Sequence, residues 1–244
     1  MTGTGQASPV LEVTELRRRF GGIVAVDGVS FDVARQDVLG IIGPNGSGKS
    51  TLFNLLTGAL PPHGGRIRHE GRDITGWKAH RVARAGVGRT FQIPALFVNM
   101  TVRENLYAAA THGDWKAVPG RADEVLELLT LGHVAGTPAG SLSGGQQRLL
   151  EFGRVLMRDP SLVLLDEVTA GVHPNLRAVI LDAVQRLREQ GTTFLVIEHD
   201  MELVRTVCRR VLVMDAGRVV ADGTFAEIAS DPQVMEAYLG VPAE

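Results

Sequence analysis

The chain has 244 residues, 44% hydrophobic and 21% charged, which supplies the apolar side chains for a sizeable core and argues against disorder outside the ends. With a formal net charge of −2 and a pI near 6.4, no global positive field gathers polyanions, so no nucleic-acid partner is expected. The one cysteine, Cys208, has no metal-spaced neighbours and no internal disulfide partner, which fits a reducing compartment.

The opening M-T-G-T-G-Q-A-S-P lacks a basic n-region and an apolar h-region, and no later stretch approaches the roughly 18 apolar residues of a membrane span. The chain therefore reads as neither secreted nor membrane-spanning by itself, with residues 1–8 disordered or extended and one domain over 9–244. From Pro9 to Val33, short apolar runs broken by Gly21-Gly22 predict antiparallel strands. Arg17-Arg18-Arg19 reads as a solvated face. Val38 to Ile42 is a continuous apolar run ending at Gly43, the pattern of a strand buried on both faces. A helix from about Gly48 to Leu56, a loop at Pro61–Gly65 feeding a short hairpin near Gly71, a helix over 78–85 and a strand over 87–91 follow. The segment 93–155 reads as a mainly helical insertion with Val125, Leu126, Leu128 and Leu129 on its apolar face.

The second half alternates strand and helix: strands at 162–165, 194–197 and 211–214, with helices from Pro174 and Asp200 between them, the order of a parallel sheet with crossover helices. The Pro174 helix carries Leu176, Val179, Ile180, Ala183, Val184 and Leu187 on one face and has Gly191 past its end. Asp215-Ala216-Gly217 predicts a tight hairpin, followed by V-V-A-D-G and a short helical tail.

Gly43-Pro44-Asn45-Gly46-Ser47-Gly48-Lys49-Ser50 fits G-x-x-x-x-G-K-[ST] between a buried strand and a helix. Glycines let backbone N–H groups curl around phosphate oxygens, the helix adds its positive end, Lys49 reaches the β- and γ-phosphates, and the Ser50 hydroxyl can ligate Mg²⁺, with Thr51 next on the first turn. This motif alone leaves kinases, GTPases, helicases and transporter ATPases open. L-V-L-L at 162–165 runs into Asp166-Glu167, two acids at the carboxyl end of a strand, where open α/β sheets bind ligands. Asp166 is placed to hold Mg²⁺ through its water shell, and Glu167 to polarise a water for attack on the γ-phosphorus.

Leu142-Ser143-Gly144-Gly145-Gln146 opens an amphipathic helix with two glycines, bare N–H groups that a helix dipole turns into an anion site; an ordinary serine-capped helix is the plainer alternative. Twenty residues ahead of the Asp-Glu strand end, the string resembles the signature of ABC ATPases. That resemblance implies a P-loop α/β fold with a mixed, largely parallel sheet, an antiparallel β subdomain and a helical insertion. It also implies two ATP molecules held between two subunits, the signature of one facing the phosphate loop of the other. By the same resemblance Phe20 stacks on adenine, Gln92 contacts Mg²⁺ and water, His199 contacts the γ-phosphate, and residues from Gln92 to about Asn105 carry motion to a permease coupling helix.

F-G-G-I-V-A-V-D-G-V-S-F at 20–31, G-V-G-R-T-F-Q at 86–92, T-V-R-E-N-L at 101–106, A-G-V-H-P at 170–174 and A-Y-L-G at 237–240 are similar to the subunits that energise branched-chain amino-acid uptake. The implied partners are a second ATP-binding subunit, identical or related, permease subunits and, indirectly, a substrate-binding protein, at the cytoplasmic face of the inner membrane. Importers of urea or short amides, ATPases of lipopolysaccharide export and soluble ABC ATPases share parts of the pattern. Three departures stand out: Val168 where the family has proline, Gln36-Asp37 in place of a Gly-Glu turn, and His173 in place of asparagine. Val168 restores a backbone N–H and frees φ, which relaxes the setting of Glu167 and predicts slower hydrolysis.

Overall fold

In the computed structural model, which describes residues 8–91, 93–110 and 115–231, the N-terminal apolar runs form a hairpin of β1 (Leu11–Phe20) and β2 (Ile23–Val33). Leu11 and Val13 alternate into the core, and a register shift at Glu15, whose φ is 48°, brings Leu16 to that face in its place. The two runs expected as separate strands after Gly22 are one strand, because Gly28 at φ 72° absorbs the irregularity between them. Next come β3 (Val38–Ile42), α1 (Lys49–Leu56), β4 (Gly64–His69), β5 (Arg72–Asp73), α2 (Ala79–Arg84) and β6 (Val87–Arg89). The helical stretch holds α3 (Val102–Ala109), α4 (Val118–Leu128) and α5 (Gly144–Leu156). The chain continues with β7 (Leu162–Asp166), α6 (Pro174–Glu189), β8 (Thr193–Ile197), α7 (Met201–Val207), β9 (Arg210–Asp215), β10 (Arg218–Gly223) and α8 (Phe225–Ala229). Two 3₁₀ turns, Gly132–Val134 and Ala139–Ser141, link α4 to α5.

An antiparallel sheet in the order β2-β1-β4-β5 stands beside a second sheet in the order β10-β9-β3-β8-β7-β6. The latter is parallel except for β10, which returns antiparallel on β9. β3 is buried throughout and feeds two cores, as a strand covered on both faces must. Leu39 and Ile41 pack with α1 and the antiparallel sheet through Phe53, Val26 and Phe31. Val38 and Ile42 join the other side, with Phe152 of α5 and Ile180 of α6. Gly153 lets α5 approach its neighbours, since a Cβ there would meet Val125, Leu129 and Leu106 at 3.0, 3.1 and 3.2 Å. Cys208 is buried against Gly40, and burial pushes its thiol up to about 12.

Register sets the functional edge. Ile41 pairs with Ile197, and Ile197 with Asp166, so the carboxyl ends of β3, β8 and β7 are level and the loops leaving them converge.

Candidate active site

The loop from β3 to α1 is shaped by glycines where no side chain fits. A Cβ on Gly43 would lie 2.1 Å from the Met214 carbonyl oxygen, and one on Gly48 2.2 Å from that of Ala25, with φ at 147° and 106°. Gly217 N–H donates to the Ser47 carbonyl at 3.0 Å. The loop is thus gripped between β2 and the β9–β10 hairpin. Gly46, at φ 84°, has nothing within 4 Å of its missing Cβ, and exposed Asn45 precedes it. No side chain caps α1, which leaves the first-turn N–H groups of Lys49, Ser50 and Thr51 without intrahelical acceptors. The buried Ser47 hydroxyl oxygen has no partner among the described residues. Lys49, 6% exposed, donates from Nζ to the carbonyls of Gly43 at 2.6 Å and Pro44 at 2.9 Å. Burial lowers its pKa, while the charges of Glu167 and Asp166 act in the opposite direction.

Asp166 ends β7. Its Oδ2 accepts from Arg89 Nη2 at 2.9 Å, its N–H donates to Thr90 Oγ1 at 3.2 Å, and its Oδ1 accepts no hydrogen bond among the described residues. Glu167 lies in the left-handed region at φ 49°, a conformation that costs a non-glycine residue about 1–3 kcal/mol and persists where surroundings hold it. Here its N–H donates to Ile197 O at 2.9 Å and its carbonyl accepts from Arg148 Nη1 at 3.2 Å. Oε1 of Glu167 sits 3.0 Å from Nε2 of the half-exposed His199. An orphaned buried hydroxyl, an uncapped helix start, an ammonium and a free carboxylate oxygen at one edge suit a polyphosphate and a hard divalent cation, which takes oxygen ligands.

Ser143, Gly144, Gly145 and Gln146 stand apart from this cluster, with no hydrogen bond to the phosphate loop among the described residues. Ser143 caps α5: its Oγ accepts from Gln146 N–H at 3.3 Å, and Gln146 Oε1 accepts from Ser143 N–H at 3.0 Å and lies 3.1 Å from the hydroxyl. The serine cap and the signature are therefore the same object. Gly144 has open space around it, whereas a Cβ on Gly145 would meet Leu176 of α6 at 2.6 Å. Phe20 is 44% exposed at the end of β1, with the Arg18 guanidinium 4.8 Å above its ring. Gln92 and the 237–240 stretch lie outside the described residues.

Several residues that matter here were not singled out from the sequence. Arg89 is one. Glu198, beside His199, is another: its buried Oε1 accepts both the N–H and the hydroxyl of Thr169 at 3.0 Å, fastening the loop after Glu167 to the end of β8, and burial raises its pKa. Buried Glu151 accepts the N–H of Phe91 at 2.9 Å, and desolvation raises its pKa too. Asn105, fully buried, takes the N–H of Phe97 and donates to the carbonyls of Phe97, Met100 and Thr101. Together with Arg154 bonded to Ala95 O, these groups hold the 93–101 segment so that Ile93, Phe97 and Val98 stay exposed. Beside it opens a groove of about 460 Å³ lined by residues including Ala83, Val87, Arg89, Phe91, Arg154 and Pro160.

Residues 26–170 match the family model described as ABC transporter, and residues 218–244 that described as branched-chain amino acid ATP-binding cassette transporter. The high-affinity branched-chain amino acid transport ATP-binding protein BraF of Pseudomonas aeruginosa is 42% identical over 95% of this chain and 98% of its own length. The corresponding LivG protein of Escherichia coli K12 is 38% identical over 96% and 99%. Among solved structures, a nucleotide-free ATP-binding cassette from an ABC transporter superposes with a TM-score of 0.86 at 38% identity, covering 96% of this chain and all (100%) of that one. The ADP conformation of an ABC transporter cassette gives a TM-score of 0.85 at 37% identity, covering 96% and 100%.

Proposed function

The chain belongs to the ABC transporter family of ATP-binding cassettes, and from that premise we propose that two such subunits bind Mg-ATP between them and power uptake of branched-chain amino acids through permease subunits. As a member of that family the chain is an ATPase. The C-terminal family match and the names of its full-length relatives support the solute class. In this reading residues 9–244 form one nucleotide-binding domain and the helical stretch 93–155 is its signalling part. The second subunit is a copy or a paralogue, a binding protein delivers solute on the far side, and the permease holds the chain at the cytoplasmic face of the membrane.

The residues divide the work. Lys49 exchanges its carbonyl partners for β- and γ-phosphate oxygens, a neutral acceptor for a charged one, while the loop amides and the start of α1 take the remaining oxygens. Phe20 offers its exposed ring to the base. Ser50, the free Oδ1 of Asp166 and Gln92 would hold magnesium, which when bound offsets the charge developing on the transferred phosphoryl group. Glu167 polarises the attacking water, and His199 orients that carboxylate and meets the γ-phosphate. Ser143 of the second subunit completes the site: its hydroxyl proton turns from Gln146 Oε1 to a phosphate oxygen while Oγ keeps the Gln146 N–H. Gly144, open on its outer side, lets that helix start come close, and Gly145 seats the helix against Leu176 of its own subunit. The exposed apolar side chains of the 93–101 segment and the adjoining groove offer a seat for a permease helix.

The observation that carries this reading is the geometry of one sheet edge: a buried Lys49 held by the carbonyls of Gly43 and Pro44 after β3, with Asp166 and Glu167 at the level end of β7. Replacing Glu167 with glutamine is expected to lower turnover by about a hundredfold or more while keeping ATP binding and leaving an ATP-bound dimer visible by light scattering. A variant that turns over at the wild-type rate, or stays monomeric with saturating ATP, contradicts the proposal.

A further inference from the structure

We infer that Arg89 is a positioning residue that pins Asp166 by one oxygen and, as a fixed counter-charge, sets how tightly this site holds its divalent cation; the inference rests on the nucleotide site proposed above. The guanidinium joins three elements. From the end of β6, Nη2 donates to Oδ2 of Asp166 on β7 at 2.9 Å, while Nη1 donates to Oδ1 of Asn54 on α1 at 2.6 Å and lies 3.5 Å from Thr57 Oγ1. Both charged side chains are 9% exposed. Rings of Phe53 and Phe91 flank the group at 5.6 and 5.3 Å.

A planar fork is needed for this. It reaches the carboxylate and the amide of another element at once, which the single point of a lysine ammonium does not. Holding Oδ2 leaves Oδ1 as the carboxylate oxygen with no hydrogen bond among the described residues, so Asp166 offers one oxygen and not two. The same cation, one ion-pair distance from Asp166, weakens the potential that a divalent ion feels. That charge effect, screened less at a buried position than in water, outweighs the side-chain freedom the fork removes. Arg89 also lines the groove beside Phe91.

Two consequences separate charge from position. In Arg89→Gln the divalent ion binds more tightly while the chemistry slows. In Arg89→Lys and Asn54→Ala the charge stays, the fork loses an anchor, and only the chemistry slows. The test titrates Mg²⁺ against binding of a fluorescent ATP analogue at equilibrium, with parallel turnover measurements and an EDTA control. Expected for Arg89→Gln is an about tenfold lower half-saturating Mg²⁺, unchanged nucleotide affinity in EDTA, and turnover lowered about tenfold. Unchanged or weakened Mg²⁺ dependence in a folded variant overturns the inference. If Arg89→Gln does not fold, Arg89→Lys and Asn54→Ala decide: wild-type Mg²⁺ dependence with turnover about threefold lower or worse supports the pinning, and wild-type turnover in both refutes it. Failure of the wild type itself to bind the analogue overturns the nucleotide site as well, an outcome distinct from a failure of Arg89 alone.

Discussion

The phosphate loop and the start of α5 are both glycine-rich helix beginnings, yet they are built on opposite plans. The loop is clamped on two sides by backbone oxygens, with missing Cβ atoms at Gly43 and Gly48 that would fall 2.1 and 2.2 Å from carbonyls, and its buried hydroxyl at Ser47 has no partner among the described residues. The α5 start has its own polar groups paired in a capping box and faces open space at Gly144. One is a tight cradle whose shape depends on its neighbours. The other is a stable, self-sufficient helix end with a bare surface, able to serve a neighbour without needing one in order to fold. The contrast supports a site whose two halves come from two chains.

Substitutions sharpen this contrast in order of size. Gly48→Ala forces a Cβ onto the Ala25 carbonyl in a left-handed backbone, so the melting temperature is expected to drop, with about 2 kcal/mol or more lost, and ATP binding to vanish. Ser143→Ala removes one cap, which costs about 1 kcal/mol, and should leave ATP binding by the single subunit intact while turnover falls about tenfold or more. If Ser143→Ala abolished binding by the monomer, the two regions would belong to one site within a chain. The smallest effect concerns Val168, whose N–H has no acceptor among the described residues and whose side chain is buried. Proline there pushes Glu167, the residue before it, from its left-handed φ of 49° toward extended backbone, which runs against the slower hydrolysis expected of valine from the sequence. Val168→Pro is expected to lower turnover about twofold; a raised rate means the left-handed setting of Glu167 is not the productive one.

Much of this was legible before any coordinates. V-L-G-I-I between turn residues marked β3 because a strand buried on both faces has no polar side to show, and Pro174 and Gly191 bracketed α6 because each suits only its own end of a helix. The phosphate loop and the Asp-Glu strand end were readable because each follows a buried strand, His199 was reached through the family resemblance, and the register brings the three strand ends level. What stayed hidden were charged residues doing interior work. Arg89 and Asp166 are 77 positions apart, and Glu198 lies 29 from Thr169; neither pairing has a local period or spacing to betray it. Glu151 lies on a helix that reads as amphipathic, and only the folded chain shows the Phe91 N–H it receives. The irregularity at Gly28 inside β2 had no signal of its own in the sequence, because a glycine serves a bulge and a turn alike.

The most direct measurement mixes two variants of the chain, one carrying Lys49→Ala and the other Ser143→Ala, each with turnover about tenfold or more below wild type alone. A mixed pair keeps one intact composite site, the phosphate loop of one chain against the signature of the other, so a 1:1 mixture should recover about a quarter of wild-type turnover. Turnover no greater than the sum of the two separate variants would show that the two halves do not meet across a subunit boundary.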